Sequence, residues 1–164
     1  MDALLARAAS ALPGFGHRPL TYDDFLATCR AEGILVDVRA SLFDEYLTHR
    51  GRRPRITLTV GLAPIYRTFV AFHALGHWLA HPGNQEFYLG SPGWLHRVEL
   101  EASTIGFLAL APWPGPPYLR LEKAYAEGDV MRFWVRYPRE LPDGRVVWRT
   151  RKTVLQRYVA QLDL

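Results

Sequence analysis

Apolar and polar positions alternate along this chain in helical and in strand rhythms, and each run predicts an element. From Asp2 to Leu12 the leucines and alanines recur at helical spacing, and Pro13, Gly14 and Gly16 end the run. Thr21 followed by Tyr22-Asp23-Asp24 predicts a second helix start, because a hydroxyl cap and early acids suit the helix dipole. Phe25, Leu26 and Cys29 form its apolar stripe, and Gly33 is its stop. Ile34 to Val38 is rich in β-branched residues and reads as a strand. Leu42 to Thr48 reads as another, and Ile56 to Val60 as a third after the turn Gly51-Arg52-Arg53-Pro54.

The run from Ile65 to His81 contains no proline, and Pro82-Gly83 closes it. Phe69, Val70, Phe72, Leu75 and Leu79 put large apolar groups on more than one side, which predicts a buried helix. Ser91-Pro92 predicts a further helix over 93–111, stopped by Pro112. The proline-rich stretch 112–117 is a linker or surface clamp. Beyond it, Leu119 to Glu127 reads as helical, and Val130 to Tyr137 as helix or strand. Pro142-Asp143-Gly144 is a turn, Val146 to Trp148 a strand and Thr153 to Leu162 a last helix. The pattern predicts an α+β fold: a helix-rich domain with a small three-stranded sheet over residues 1–112. A small basic and aromatic extension or subdomain follows over 113–164.

A length of 164 residues suits one domain with a short appendage and can bury a core without disulfides. The single cysteine, Cys29, excludes an intrachain disulfide and a zinc cluster of several thiolates. No apolar stretch is long enough to span a bilayer, and Met1 to Leu12 lacks the order of a secretion signal. The expectation is a cytoplasmic protein with no membrane partner. The net charge of +4 is uneven, since residues 113–164 hold ten basic and six acidic groups. Arg145, Arg149, Arg151, Lys152 and Arg157 could attract nucleic acid or an acidic partner, though a solvated basic face is the simpler reading. Phe133, Trp134, Tyr137 and Trp148 lie among these cations. They read as a small core that docks a protein substrate in preference to a platform for single-stranded nucleic acid.

The chemistry-bearing residues are His73 and His77. Four residues advance about 400° along a helix, so both imidazoles project from one face and can share one tetrahedral metal. A third ligand would come from the helix packed across this one, which offers Glu101 and Glu99. Glu101 heads the apolar stripe Ile105, Leu108 and Pro112 and is the preferred ligand. Glu99 is the second choice, on a stripe with Ala102 and Gly106 whose small side chains permit close approach. Gly76 opens space beside the histidine pair. His96 and Tyr88 are candidate transition-state stabilisers; His81 reads as a cation at the helix end.

These strings resemble the ImmA/IrrE family of gluzincin-like zinc metallopeptidases, which cleave phage or DNA-damage repressors. The resemblance covers roughly Tyr22 to Pro112. It rests on Ala31-Glu32-Gly33-Ile34, the strand Ile56 to Thr59, Phe69 to His81, and Glu99-Leu100-Glu101-Ala102 through Ile105 to Pro112. It implies a zincin-like core, with zinc on His73, His77 and, by its pattern of glutamate then alanine, Glu101. Manganese or iron would fit the same ligands. The implied partner is a helix-turn-helix transcriptional repressor, cut at a peptide bond.

One position departs from the family's His-Glu-x-x-His motif. Residue 74 is Ala74, where the family has the glutamate that takes a proton from the attacking water and passes it to the leaving amine. A methyl group cannot shuttle protons, so the chain should bind metal and substrate yet barely hydrolyse. With the rest of the motif intact, a knock-out of the general base is the favoured explanation. A natural pseudo-peptidase, serving as a metal-bound regulatory or protein-binding module, is the alternative. A basic nucleic-acid-binding protein is the other rival.

Overall fold

The computed structural model describes residues 1–48, 53–80, 92–113 and 119–159. Helix α1 spans Asp2–Ala11, and α2 spans Tyr22–Ala31. The predicted cap of α2 is a full capping box, in which Thr21 Oγ1 accepts from the Asp24 amide and the Asp24 carboxylate accepts from the Thr21 amide. Arg18 holds the same carboxylate at 2.7 and 2.8 Å. Gly33 ends the helix at φ +71°, in the left-handed region that glycine tolerates.

Three short strands follow: β1 (Leu35–Val38), β2 (Glu45–Thr48) and β3 (Arg55–Leu58). They form one sheet in the order β1-β3-β2, with β1 parallel and β2 antiparallel to β3. The long helices α3 (Pro64–Ala80) and α4 (Pro92–Leu110) agree with the predicted spans to within a residue at each described end. Tyr66 and the run from Thr68 to His77 in α3 are buried, as an apolar surface on several sides requires.

The C-terminal third departs from expectation. The segment predicted as helix from Leu119 to Glu127 is strand β4 (Arg120–Glu127). Val130–Glu140 is strand β5, and Val146–Gln156 is strand β6. The expected last helix therefore begins inside a strand, and its end lies outside the described residues. These three strands form an antiparallel meander, β4-β5-β6. Leu119 and Leu121 are buried two residues apart, a strand period that the charges around them obscure. The fold is thus α+β with four described helices and two three-stranded sheets, where one sheet was expected.

One apolar cluster runs across residue 112, joining α1, α2, α3 and α4 to Leu119, Leu121, Met131, Phe133 and Val135. The Phe133 ring meets Phe69 edge-on at 5.0 Å and lies 5.2 Å from Phe107. A second tie is polar. Asp44, just before β2, accepts from Tyr66 Oη at 2.6 Å and from Arg157 Nη2 at 2.7 Å. No described helix is long and apolar enough to cross a membrane. Phe133→Ala is expected to lower stability by about 3–5 kcal/mol. Urea denaturation followed by tryptophan fluorescence measures this, and a loss below about 1 kcal/mol would mean that β5 does not share the helical core.

Candidate metal centre

The centre is built where α3 crosses α4. A Cβ placed on Gly76 would stand 3.0 Å from Ala102 Cα and 3.1 Å from its carbonyl oxygen. One placed on Gly106 would stand 2.7 Å from the Phe69 carbonyl oxygen. Backbone therefore meets backbone, and larger residues would push the helices apart. Along this seam α3 presents His73 and His77, while α4 presents Glu99 and, one turn on, Ser103.

The two imidazole Nε2 atoms lie 3.0 Å apart. Glu99 reaches both, with Oε2 3.3 Å from His73 Nε2 and Oε1 3.5 Å from His77 Nε2. From the other side, Glu45 on β2 brings Oε1 to 3.5 Å from His73 Nε2. Ligand atoms of Glu45, His73 and His77 all lie within 4.8 Å of one another, close enough to hold one metal ion. Ser103 Oγ lies 3.2 Å from His73 Nδ1. In the tautomer that leaves Nε2 as a bare lone pair, Nδ1–H donates to this hydroxyl, the usual support behind a ligating imidazole.

These separations suit coordination. With metal–ligand bonds of about 2.0–2.1 Å, the edges of a tetrahedron are about 3.3 Å long. The spacings of 3.0, 3.3 and 3.5 Å lie close to that length.

The structure reverses the order of the two α4 carboxylates. Glu99, the second choice, faces the imidazoles, while Glu101, the preferred ligand, receives Arg97 Nε at 3.0 Å. Two residues along a helix turn about 200°, so the two acids leave the axis on nearly opposite sides. Glu101 is buried all the same, which is why an apolar-stripe argument selects it. Glu99 is the half-exposed one. The small residues Ala102 and Gly106 on its stripe were the signal that marked the contact face.

Ala74 is fully buried and belongs to the apolar cluster. His96 is exposed on α4 and is not among the groups brought together. Tyr88 and His81 lie outside the described residues. Glu45 and Ser103 were not singled out from the sequence. Ser103 follows Glu99 by four, so the correct stripe would have found it. Glu45 shares a strand face with Leu47, which packs on the core, and that alternation was its only signal.

Charge within the cluster is mutually supported. Burial opposes a proton on His73, but the hydrogen bond to Glu99 and the charges of Glu45 and Glu99 outweigh it, raising its pKa above the ordinary 6.5. Burial opposes ionisation of Glu99 too, yet hydrogen bonds to His73 and His77 hold it well below the ordinary 4.5. Burial pushes the Glu45 carboxyl upward, against the pull of both imidazoles. No family model, curated protein or solved structure matches the chain.

The signs fix a pH dependence for the metal-free protein. The His73 contribution is fully present below its ordinary value of 6.5 and is lost as pH rises through the raised folded value. The Glu99 contribution is present above 4.5 and is lost as pH falls toward the depressed value. After chelation, thermal stability should therefore fall as pH is raised past 6.5, a slope that His73→Gln should flatten. Metal affinity should rise over the same range, since the ligands must shed protons. Melting curves and metal titrations at several pH values check both trends; a chelated protein that gains stability with pH in this range would contradict the pairing.

Proposed function

We propose that this chain is a metal-binding, peptidase-like protein of the ImmA/IrrE type, its parent chemistry being hydrolysis of a peptide bond in a helix-turn-helix repressor. The observation that carries the reading is the meeting of His73, His77 and Glu99 at coordination distances across a crossed helix pair. Zinc is the expected ion, from two imidazoles and a carboxylate, with manganese or iron as substitutes. When bound, such a cation supplies Lewis acidity to a carbonyl and to water.

The chain's own residues supply the rest. His73 and His77 offer nitrogen lone pairs, with Ser103 orienting the first ring. Strand β2 is the edge of its sheet in the described residues and lies beside the centre, so an extended peptide could add to it. At position 74, where a proton carrier is required, a buried methyl group stands. We therefore read the chain as retaining the binding half of a peptidase and lacking the proton-transfer half.

The nucleic-acid reading draws on the outer face of the second sheet. There the Lys123 and Lys152 ammonium groups lie 5.1 and 4.8 Å from the Trp134 ring centre. The Arg120 and Arg136 guanidiniums each lie 5.4 Å from Trp148. These indoles are already stacked with the protein's own cations, which leaves less ring surface for bases. Phe133, counted with them from the sequence, is in the core.

Glu99→Ala should weaken zinc binding by about 100-fold, whereas Glu101→Ala should change it less than about threefold. Competition titrations against a chromophoric chelator measure both. Equal losses in the two variants, or no zinc uptake by the parent chain, would end the metal-centre reading. Incubation with a candidate repressor should give no metal-dependent cleavage, and efficient cleavage would refute the disabled-base reading.

A further inference from the structure

We propose that Glu45 is a fourth protein ligand that closes this centre, making it a non-hydrolytic metal clamp between β2, α3 and α4. The inference rests on the metal-binding reading above and adds to it. The histidine pair and the α4 glutamate come from the motif helices; Glu45 comes from a strand outside both.

Placement and spacing carry the argument. Glu45 pairs with Leu58 in the sheet and shares a face with Leu47, so its side chain is directed at α3. Its neighbour Asp44 is held by Tyr66 and Arg157, which pins the start of β2 against the helical layer. The Glu45 carboxylate is largely buried, and its ion-pair partner among the described residues is His73. The Glu45 carboxylate lies 3.5 Å from His73 Nε2, about the edge of a coordination tetrahedron, and its ligand atom groups with those of both histidines within 4.8 Å.

Two imidazoles and two carboxylates make four donors, the count of a closed structural zinc site, whereas a catalytic site keeps a position open. A peptidase disabled only by an alanine at position 74 would keep that open position. A closed sphere together with Ala74 removes both requirements for hydrolysis. This favours the natural, non-hydrolytic reading of Ala74 over the knock-out. The metal would then join the edge strand to both long helices.

Cobalt(II) titrated into the chelated chain of 164 residues tests the idea, since four-coordinate cobalt absorbs visible light far more strongly than five- or six-coordinate cobalt. The parent chain should give an intense spectrum that added azide leaves unchanged. Glu45→Ala should bind cobalt about 100-fold more weakly, and azide should shift its spectrum by entering the freed position. If that variant does not fold, the azide response of the parent chain decides alone. An azide-sensitive spectrum of the parent chain, or cobalt affinity in Glu45→Ala within about threefold of the parent's, overturns the fourth ligand and leaves the metal centre standing. Absence of any cobalt binding overturns both.

Discussion

A carboxylate on one helix can share a cation with imidazoles on another only when the two backbones nearly touch, because the side chains reach just a few ångströms. Here contact is set by Gly76 against Ala102 and by Gly106 against Phe69. Each glycine within a helix costs about 1 kcal/mol relative to alanine. That cost is offset by what the close approach permits, since Leu75, Ile105 and Leu108 are all buried to within 1 % around the seam. The donor atoms at the top of the seam are then held by packing, before any ion is added. Spacing of the helices, more than the identity of any single ligand, is what the centre depends on.

The second sheet contributes to this rigidity from the opposite side. Phe133 enters the layer between Phe69 and Phe107, so β5 buttresses α3 one turn before His73. Arg157, at the end of β6, holds Asp44, and Asp44 precedes Glu45 directly. The backbone adds Ala63 N to Arg157 O at 2.9 Å, tying the start of α3 to the same place. The basic C-terminal third therefore acts on the centre through mechanical support. Four of its ten cations, Arg120, Lys123, Arg136 and Lys152, lie over Trp134 and Trp148 on the second sheet.

The helices were legible because their ends are written in chemistry that acts locally. The Thr21–Asp24 box, Gly33 and the prolines at 64 and 92 each determine a terminus within a few residues. The strands of the second sheet were less legible, because their stability comes from partners elsewhere in the chain. Lys123 sits opposite Trp134, and Lys152 opposite Trp134 on the far side, and no window of sequence contains all three. The histidine pair was visible from spacing alone. Choosing between Glu99 and Glu101 required knowing which face of α4 meets α3. The apolar stripe drew the choice to Glu101, and its Ile105 does meet Gly76; the small residues Ala102 and Gly106 marked where the two backbones approach most closely. Glu45 was hidden for a related reason: an isolated acid on a four-residue strand looks like any solvated edge until the fold brings it to His73.

If the proposed closed centre holds, charge balance connects Glu45 with the absence of a carboxylate at position 74. A divalent ion held by two neutral imidazoles and the Glu99 and Glu45 carboxylates forms a centre of zero net charge. That is the arrangement a poorly solvated site favours, since an uncompensated charge there is expensive. Ala74 has no exposed surface and is enclosed by the apolar cluster. A third carboxylate at that position would bring a negative charge with no cation assigned to it, in surroundings unable to screen it. A peptidase tolerates such a base because its site is open to water and its ion carries one carboxylate fewer. Once Glu45 supplies the second carboxylate, a small apolar residue at position 74 is the electrostatically consistent choice. In that proposal the two positions, 29 residues apart in the chain, serve one requirement, a neutral centre in poorly solvated surroundings.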